Sequence, residues 1–263
     1  MKDEQYERII NKMKKDFNDD TLVNIDFYLK YFDTNYTNIN TRKTYLCAYK
    51  HHINSFLSQK IVGLIHEQDK IIGQNLYQGN QKNNIIKWSD VEKTLNNIEQ
   101  SYHNEPKMEK LVDWSILSLY SYMPPRRNAD YRELYINDSK KNSIIFFNEK
   151  CKLNIVDYKT KDTYGKFEHI IDDPKFNKIF RMISKEKYLL WMFTAPAWTK
   201  KISSIFTSYL ENSPTNITPN ILRHVYITEN IHDMDINERQ KLAEKMGHSM
   251  HTQMTYSKHK ESE

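Results

Sequence analysis

Apolar residues return along this chain at two different periods, and the switch between them divides it. Over the first 60 residues Tyr6, Ile9, Ile10 and Met13 recur at three- and four-residue spacing, which predicts an amphipathic helix. A second run, Thr44 to Phe56, follows Asn40 and Thr41, residue types that cap helix N-termini. Its outward face holds Arg42, Lys43, Lys50, His51 and His52, which suits either a solvated surface or contact with a phosphate backbone. The periodicity lapses over Gln78 to Asn84 (QGNQKNN), the best linker candidate. Ser89-Asp90-Val91-Glu92 then reads as a capping box opening a helix to about Ser101. A further helix, Met108 to Tyr122, is stopped by Pro124-Pro125.

The texture next changes to period two. Ser143 to Phe147, Cys151 to Tyr158 and Lys166 to Ile171 predict three short antiparallel strands, with turns at Asn148-Glu-Lys and Asp162 to Gly165. After Pro174 the helical period returns. Thr218-Pro219 places an N-cap before a Pro at the first helical position, and Asn237 to Met246 forms a helix closed by Gly247. The fold class expected is therefore mainly α with a small antiparallel β-sheet, α+β, divided near residue 84.

Composition narrows the function classes. A chain of 263 residues with 38% hydrophobic and 13% aromatic residues is too apolar for disorder. Its 5 glycines stand too far apart for a phosphate-cradling loop, which excludes P-loop and Rossmann nucleotide enzymes. The longest apolar stretch, Tyr188 to Trp198, is too short to span a bilayer, and the N-terminus (MKDEQYERII) carries charge where a secretion signal needs apolar residues. The expectation is an intracellular chain with no membrane partner. Cys47 and Cys151 belong to no CxxC pair, and no HExxH spacing occurs, so neither a disulfide nor a metal is expected. A net charge of +5 is compatible with nucleic acid without requiring it.

Four segments hold the polar residues that chemistry would use. Pro124-Pro-Arg-Arg-Asn-Ala-Asp-Tyr131 sets Arg126 and Arg127 just past a helix stop. Tyr158-Lys-Thr-Lys-Asp-Thr-Tyr-Gly165 sets Lys159 and Lys161 at a hairpin tip. Asn220 and Arg223 share a face of the helix that Thr218 caps, and Met246-Gly-His-Ser249 carries His248 at a helix end, eight residues before Tyr256. Singly, each has an ordinary structural explanation.

Taken in order, they resemble the tyrosine recombinase (phage integrase) family, whose pattern runs R-x-x-[ED]-L, K-T on a β-hairpin, H-x-L-R-H, L-G-H-S and a terminal Tyr. The matching positions are Arg127-Asn-Ala-Asp130-Tyr, Lys159-Thr160, Asn220-Ile-Leu222-Arg223-His224, Met246-Gly247-His248-Ser249 and Tyr256, over roughly residues 85 to 259. The resemblance implies a helical, SAM-like core-binding DNA-binding domain at 1–84 and a catalytic domain at 85–263. Two departures stand out. Asn220 occupies the place of the first histidine and cannot shuttle a proton near neutrality, and the His248-to-Tyr256 interval is about one residue shorter than usual.

The activity implied is site-specific cutting and rejoining of double-stranded DNA through a 3′-phosphotyrosyl intermediate, with no cofactor and no metal, by a homo-oligomer (a tetramer) on paired sites. Tyr256 would be the nucleophile, Arg127 and Arg223 the phosphate clamps, Lys159 the acid, and His248 and Asn220 hydrogen-bond donors. Lys161 and Lys166 compete with Lys159 for the acid's role, and Arg126 with Arg127. Asp130 either orients Arg127 or caps the following helix. Arg42, Lys43, Lys50, Arg126 and Lys161 are the candidate DNA contacts. Two rival readings are a type IB topoisomerase and a DNA-binding relative that has lost catalysis.

Overall fold

The computed structural model describes residues 2–19, 22–36, 38–53, 55–74, 84–185 and 193–256. It forms two compact units, Met1–Lys82 and Asn83–Lys258. The linker expected at Gln78 to Asn84 lies outside the described residues apart from Asn84, as do residues 188–192 of the apolar stretch Tyr188 to Trp198. Among the described residues, no helix is long and apolar enough to cross a membrane.

The first unit is helical: α1 (Lys2–Phe17), α2 (Ile25–Asn35), α3 (Ile39–His52) and α4 (Ser55–Gly73). The spacing of Ile10 and Met13 puts both on one face of α1, where they are buried with Tyr28 and Phe32 of α2, Leu46 and Tyr49 of α3, and Ile61 of α4. The Tyr49 hydroxyl donates to the Leu22 carbonyl at 2.6 Å, so this aromatic core satisfies its polar tip. Helix α3 starts earlier than the sequence suggested. Asn38, not Asn40 or Thr41, is the cap, its side chain accepting from the amides of both at 3.0 and 3.1 Å.

The second unit is built on α6 (Met108–Ser121), in which every residue from Leu111 to Tyr120 is buried. A helix apolar on all sides must be surrounded. It packs against α5 (Trp88–Asn104) and, later in the chain, α9 (Pro174–Lys185) and α10 (Ala195–Tyr209). Trp198 of α10 donates its indole N–H to the Tyr120 hydroxyl at 3.0 Å. Helix α5 begins at Trp88, and the residue reaching back to its start is Asp90, which accepts from the Lys87 amide at 2.8 Å. The Ser89–Glu92 capping box expected there is thus displaced by two residues.

Between α6 and α9 lie α7 (Asn128–Tyr131), β1 (Tyr135–Ile136), β2 (Ser143–Phe147), β3 (Lys150–Ile155), α8 (Lys161–Tyr164) and β4 (Phe167–Ile171). The sheet order is β1-β2-β3-β4. The three expected strands are β2, β3 and β4, antiparallel, with Ile144 opposite Leu153 and Leu153 opposite His169. The sheet is nevertheless mixed, because β1 pairs in parallel with β2, Tyr135 against Ser143. The expected turn at Asp162 to Gly165 is instead a single helical turn, α8, ended by Gly165 at φ +71°. The chain continues through α10 to α11 (Pro219–Asn230), α12 (Ile236–Lys245) and α13 (Met250–Tyr256). Thr218 caps α11 as expected, accepting from the Ile221 amide at 3.3 Å.

Candidate active site

Helix α12 has to stop and reverse before α13, and the residue that permits this is Gly247, with φ +69°. The turn lies against α7. A Cβ built on Gly247 would stand 2.8 Å from Nη2 of Arg126, so both conformation and space require glycine. The Gly247 carbonyl accepts from the Arg127 guanidinium at 2.6 Å and from the Thr160 hydroxyl at 2.9 Å. Three separated segments therefore meet on one peptide: the start of α7, the connection after β3, and the α12–α13 turn.

The adjacent arginines have different fates. Arg126 is fully buried. Its Nε donates to Asp130 Oδ2 at 2.8 Å and its Nη1 to the Lys245 carbonyl at 2.6 Å, while its guanidinium carbon lies 4.7 Å from the Tyr158 ring centroid and 4.3 Å from that of Phe167. An arginine enclosed in this way cannot reach DNA, which corrects its place among the candidate contacts. Asp130, likewise buried, pairs with Arg126 and not Arg127, because the i,i+4 relation aligns it across the turn. Burial pushes the Asp130 carboxyl up, against the opposing pull of Arg126 first, then Arg127 and Arg223. Arg127 itself is half-buried at the N-cap of α7.

Arg223 is buried on α11 beside the same cluster, its charge bearing on both Asp130 and His248. His248 is 1% exposed. Burial, then Arg223, push its imidazole down to about 4, so it is neutral at pH 7. Its Nδ1 lies 3.1 Å from the Ser249 carbonyl, which can only accept, so the proton sits on Nδ1. Nε2 then carries a lone pair, and His248 offers an acceptor there where the sequence suggested a donor.

Lys159 is exposed on the connection between the antiparallel strands β3 and β4, on the hairpin loop as expected. Its rivals are occupied: Lys161 pairs with Asp157 at 3.1 Å and Lys166 with Glu168 at 2.7 Å. Among the described residues Lys159 makes no ion pair. The strand leading to it is fastened by Asn142, whose Nδ2 donates to the Asp157 carbonyl at 2.7 Å and whose Oδ1 accepts from the Val156 and Asp157 amides at 2.9 and 2.8 Å. Sequence reasoning missed Asn142, since its partners lie fourteen and fifteen residues away, just past the end of β3.

Asn220 is exposed in the first turn of α11, and its Nδ2 donates to Nε2 of His224, one turn on, at 3.2 Å. Tyr256 is the last residue of α13. Tyr226, the other tyrosine near Arg223 in the sequence, packs edge-on against Trp88 at 4.9 Å, and burial pushes its phenol up.

In the first unit, the Arg42 guanidinium turns back onto α2. It donates to the Tyr36 and Asp33 carbonyls, both at 3.3 Å, and pairs with the Asp33 carboxylate. Lys43 pairs with Asp69. Of the three candidate DNA contacts in this unit, Arg42, Lys43 and Lys50, it is Lys50 that is exposed with no ion pair among the described residues.

No protein-family model and no curated protein matches the sequence. In fold, the chain is similar to the crystal structure of XerA recombinase, at 14% sequence identity and a TM-score of 0.45, over 99% of this chain and 95% of that one.

Proposed function

We propose that this protein is a site-specific DNA recombinase that cuts and rejoins double-stranded DNA through a 3′-phosphotyrosyl intermediate. The observation that carries the reading is the convergence of Arg127, Thr160 and the Gly247 turn on one carbonyl, with buried Arg223 and His248 alongside. Those positions come from four separate stretches of sequence, and a scaffold with no chemistry to perform has no need to gather them.

In this reading Tyr256 attacks phosphorus, its oxygen forming the new P–O bond as the bond to the 5′-oxygen breaks. The phosphodiester energy is kept in the covalent link, so neither ATP nor another co-reactant is consumed. Attack concentrates negative charge on the non-bridging oxygens. Arg127 and Arg223 meet it with permanently charged, planar donor sets. Lys159, which unlike its rivals Lys161 and Lys166 has no carboxylate partner among the described residues, protonates the departing 5′-oxygen. The Nε2 lone pair of His248 accepts the phenolic proton, its basicity rising as the bound phosphate offsets the nearby guanidiniums. Asn220 lies on the same helix as Arg223 and offers a neutral amide.

The helical first unit would grip the duplex while the second performs the chemistry. Strand exchange joins two sites, so the working form is a homo-oligomer, a tetramer on paired DNA, acting inside the cell at DNA.

The test is incubation with a nicked suicide duplex taken from DNA flanking its own gene, followed by denaturing separation of covalent adducts. Adduct is expected with the parent chain and absent from Tyr256→Phe, which retains non-covalent binding. An adduct surviving in Tyr256→Phe, or mapping to Tyr226, would overturn the assignment. Adduct formation with plasmid relaxation but no joining of two sites would reassign the chain as a type IB topoisomerase.

A further inference from the structure

Two grooves reach helix α7. One, of about 570 Å³, is lined by Ala129, Arg132, Lys140, Lys141 and Lys159 together with Asn142. Two carboxylates also line it, but Glu133 is held by Arg132 at 2.6 Å and Asp157 by Lys161 at 3.1 Å. Lys140, Lys141 and Lys159 are exposed and make no ion pair among the described residues, so they leave this groove with three uncompensated positive charges. Lys141 is held in place, its Nζ lying 3.9 Å from the centroid of the Tyr135 ring. A second groove, of about 790 Å³, reaches Asn128. Its cation is Lys200, and the hydroxyls of Ser203 and Ser204 are spent on backbone carbonyls at 2.6 and 2.8 Å. One groove is strongly basic and the other nearly neutral. Arg127 is the N-cap of α7, the helix whose Asn128 lines the nearly neutral groove and whose Ala129 lines the basic one.

We infer that the basic groove binds the DNA strand downstream of the cleaved phosphate, the segment that begins with the released 5′-hydroxyl. The inference rests on the recombinase reading and adds a direction to it. The leaving 5′-oxygen belongs to the downstream nucleotide, and the lysine that must protonate it, Lys159, lines the basic groove. The downstream backbone therefore enters on the Lys159 side and passes Lys141 and Lys140, while the upstream strand leaves across the neutral side. This division has a chemical use. After cleavage the upstream strand is tethered to Tyr256 by a covalent bond and needs no electrostatic grip. The downstream strand has no covalent hold beyond its base pairing, and three lysines help keep its hydroxyl close enough to rejoin.

The experiment compares the parent chain with Lys140→Ala/Lys141→Ala, changes at two exposed positions outside the core. The probes are nicked duplexes from DNA flanking its own gene, with either the downstream or the upstream arm cut back to the cleavage point. Binding to the full duplex is expected to weaken roughly 10- to 100-fold at 0.1 M salt, with the slope of log affinity against log salt reduced by about 2. The deficit should persist when the upstream arm is missing and collapse when the downstream arm is missing. A deficit that collapses on upstream truncation reverses the polarity, and an unchanged salt slope removes the groove from DNA contact altogether; either result overturns the inference. If the parent forms no Tyr256-dependent adduct on any probe, the recombinase reading fails and the strand polarity fails with it. In that case the salt slope still reports whether Lys140 and Lys141 touch DNA.

Discussion

Arg126 and Asp130 form a buried ion pair, Nε to Oδ2 at 2.8 Å, while the adjacent Arg127 stays half-buried and bonds the Gly247 carbonyl. Neighbouring arginines thus divide two tasks. Arg126 holds α7 against the end of α12, and Arg127 is the one that the recombinase reading assigns to a phosphate. Removing one partner of a buried pair strands the other, at a cost of about 3–5 kcal/mol. Asp130→Ala is expected to lower stability by that order in denaturant unfolding. Arg126→Lys should also destabilise, because one ammonium cannot serve both Asp130 and the Lys245 carbonyl. Arg127→Lys should keep the fold and slow cleavage by roughly 10²–10³, the typical cost of losing a transition-state donor. Normal cleavage by Arg127→Lys, with Arg126→Lys stable but inactive, would exchange the two roles.

Gly247→Ala attacks the same junction from the other side. An L-residue at φ +69° costs about 1–2 kcal/mol. The added methyl also meets Arg126 Nη2 at 2.8 Å, on a side chain already fixed at two of its nitrogens. Together these should cost roughly 2–5 kcal/mol. They should also disturb the carbonyl that receives Arg127 and Thr160, so cleavage is expected to fall further than stability explains. A variant whose melting temperature and cleavage rate both match the parent would mean that the turn is not the hub of the site.

The helices were readable because their signals are local. Thr218 before Pro219, and Gly247 after α12, act within a few residues of themselves. Helix α6 was readable from its apolar run and the prolines beyond it. What stayed hidden depends on distant partners. The two-residue strand β1 is defined by pairing with β2 and has no period of its own. Nothing in the string Arg126-Arg127 says which guanidinium turns inward, since a non-helical stretch imposes no face. That choice is made by Asp130, Lys245, Tyr158 and Phe167, three of them far along the chain. Arg42 has the same history: its face reads as basic, yet its guanidinium is consumed by the end of α2. The order of Arg127, Lys159, Arg223, His248 and Tyr256 was legible, but which atoms of those residues are available was not.

His248 carries a pH dependence whose sign follows from its burial. Its imidazole is pushed down to about 4 in the folded chain, against an unfolded value near 6.5. Above pH 6.5 both states are neutral there, and the group contributes nothing to pH-dependent stability. As pH falls from 6.5 to 4 the unfolded chain takes up a proton that the folded chain refuses, so stability is lost. At pH 5 this amounts to about 2 kcal/mol. In His248→Gln the drop in unfolding free energy between pH 7 and pH 5 should be smaller by that order. An identical drop in both proteins would mean that His248 titrates normally in the fold.

Asn220 stands where the tyrosine recombinase pattern has a histidine, and its environment decides what a restored imidazole would meet. Its amide donates to Nε2 of His224 at 3.2 Å, and the residue is exposed in the first turn of α11. Asn220→His therefore faces no steric wall, but it would place two imidazoles one helical turn apart. Near neutrality the new ring can keep the contact by donating an N–H to His224. Cleavage is then expected to match or exceed the parent rate between pH 7 and 9. Below about pH 6.5, the ordinary histidine value, the new ring would become charged one helical turn from Arg223, so the variant should lose rate faster than the parent as pH falls. Asn220→Ala separates the amide from its position: it removes the donor to His224 and should slow cleavage while leaving the fold intact. Rates of all three proteins across pH 6 to 9 decide the matter. A tenfold or greater loss in Asn220→His at pH 8, with unfolding unchanged, would show that the Asn220–His224 contact is itself what the site requires, and that this position has been rebuilt around an amide.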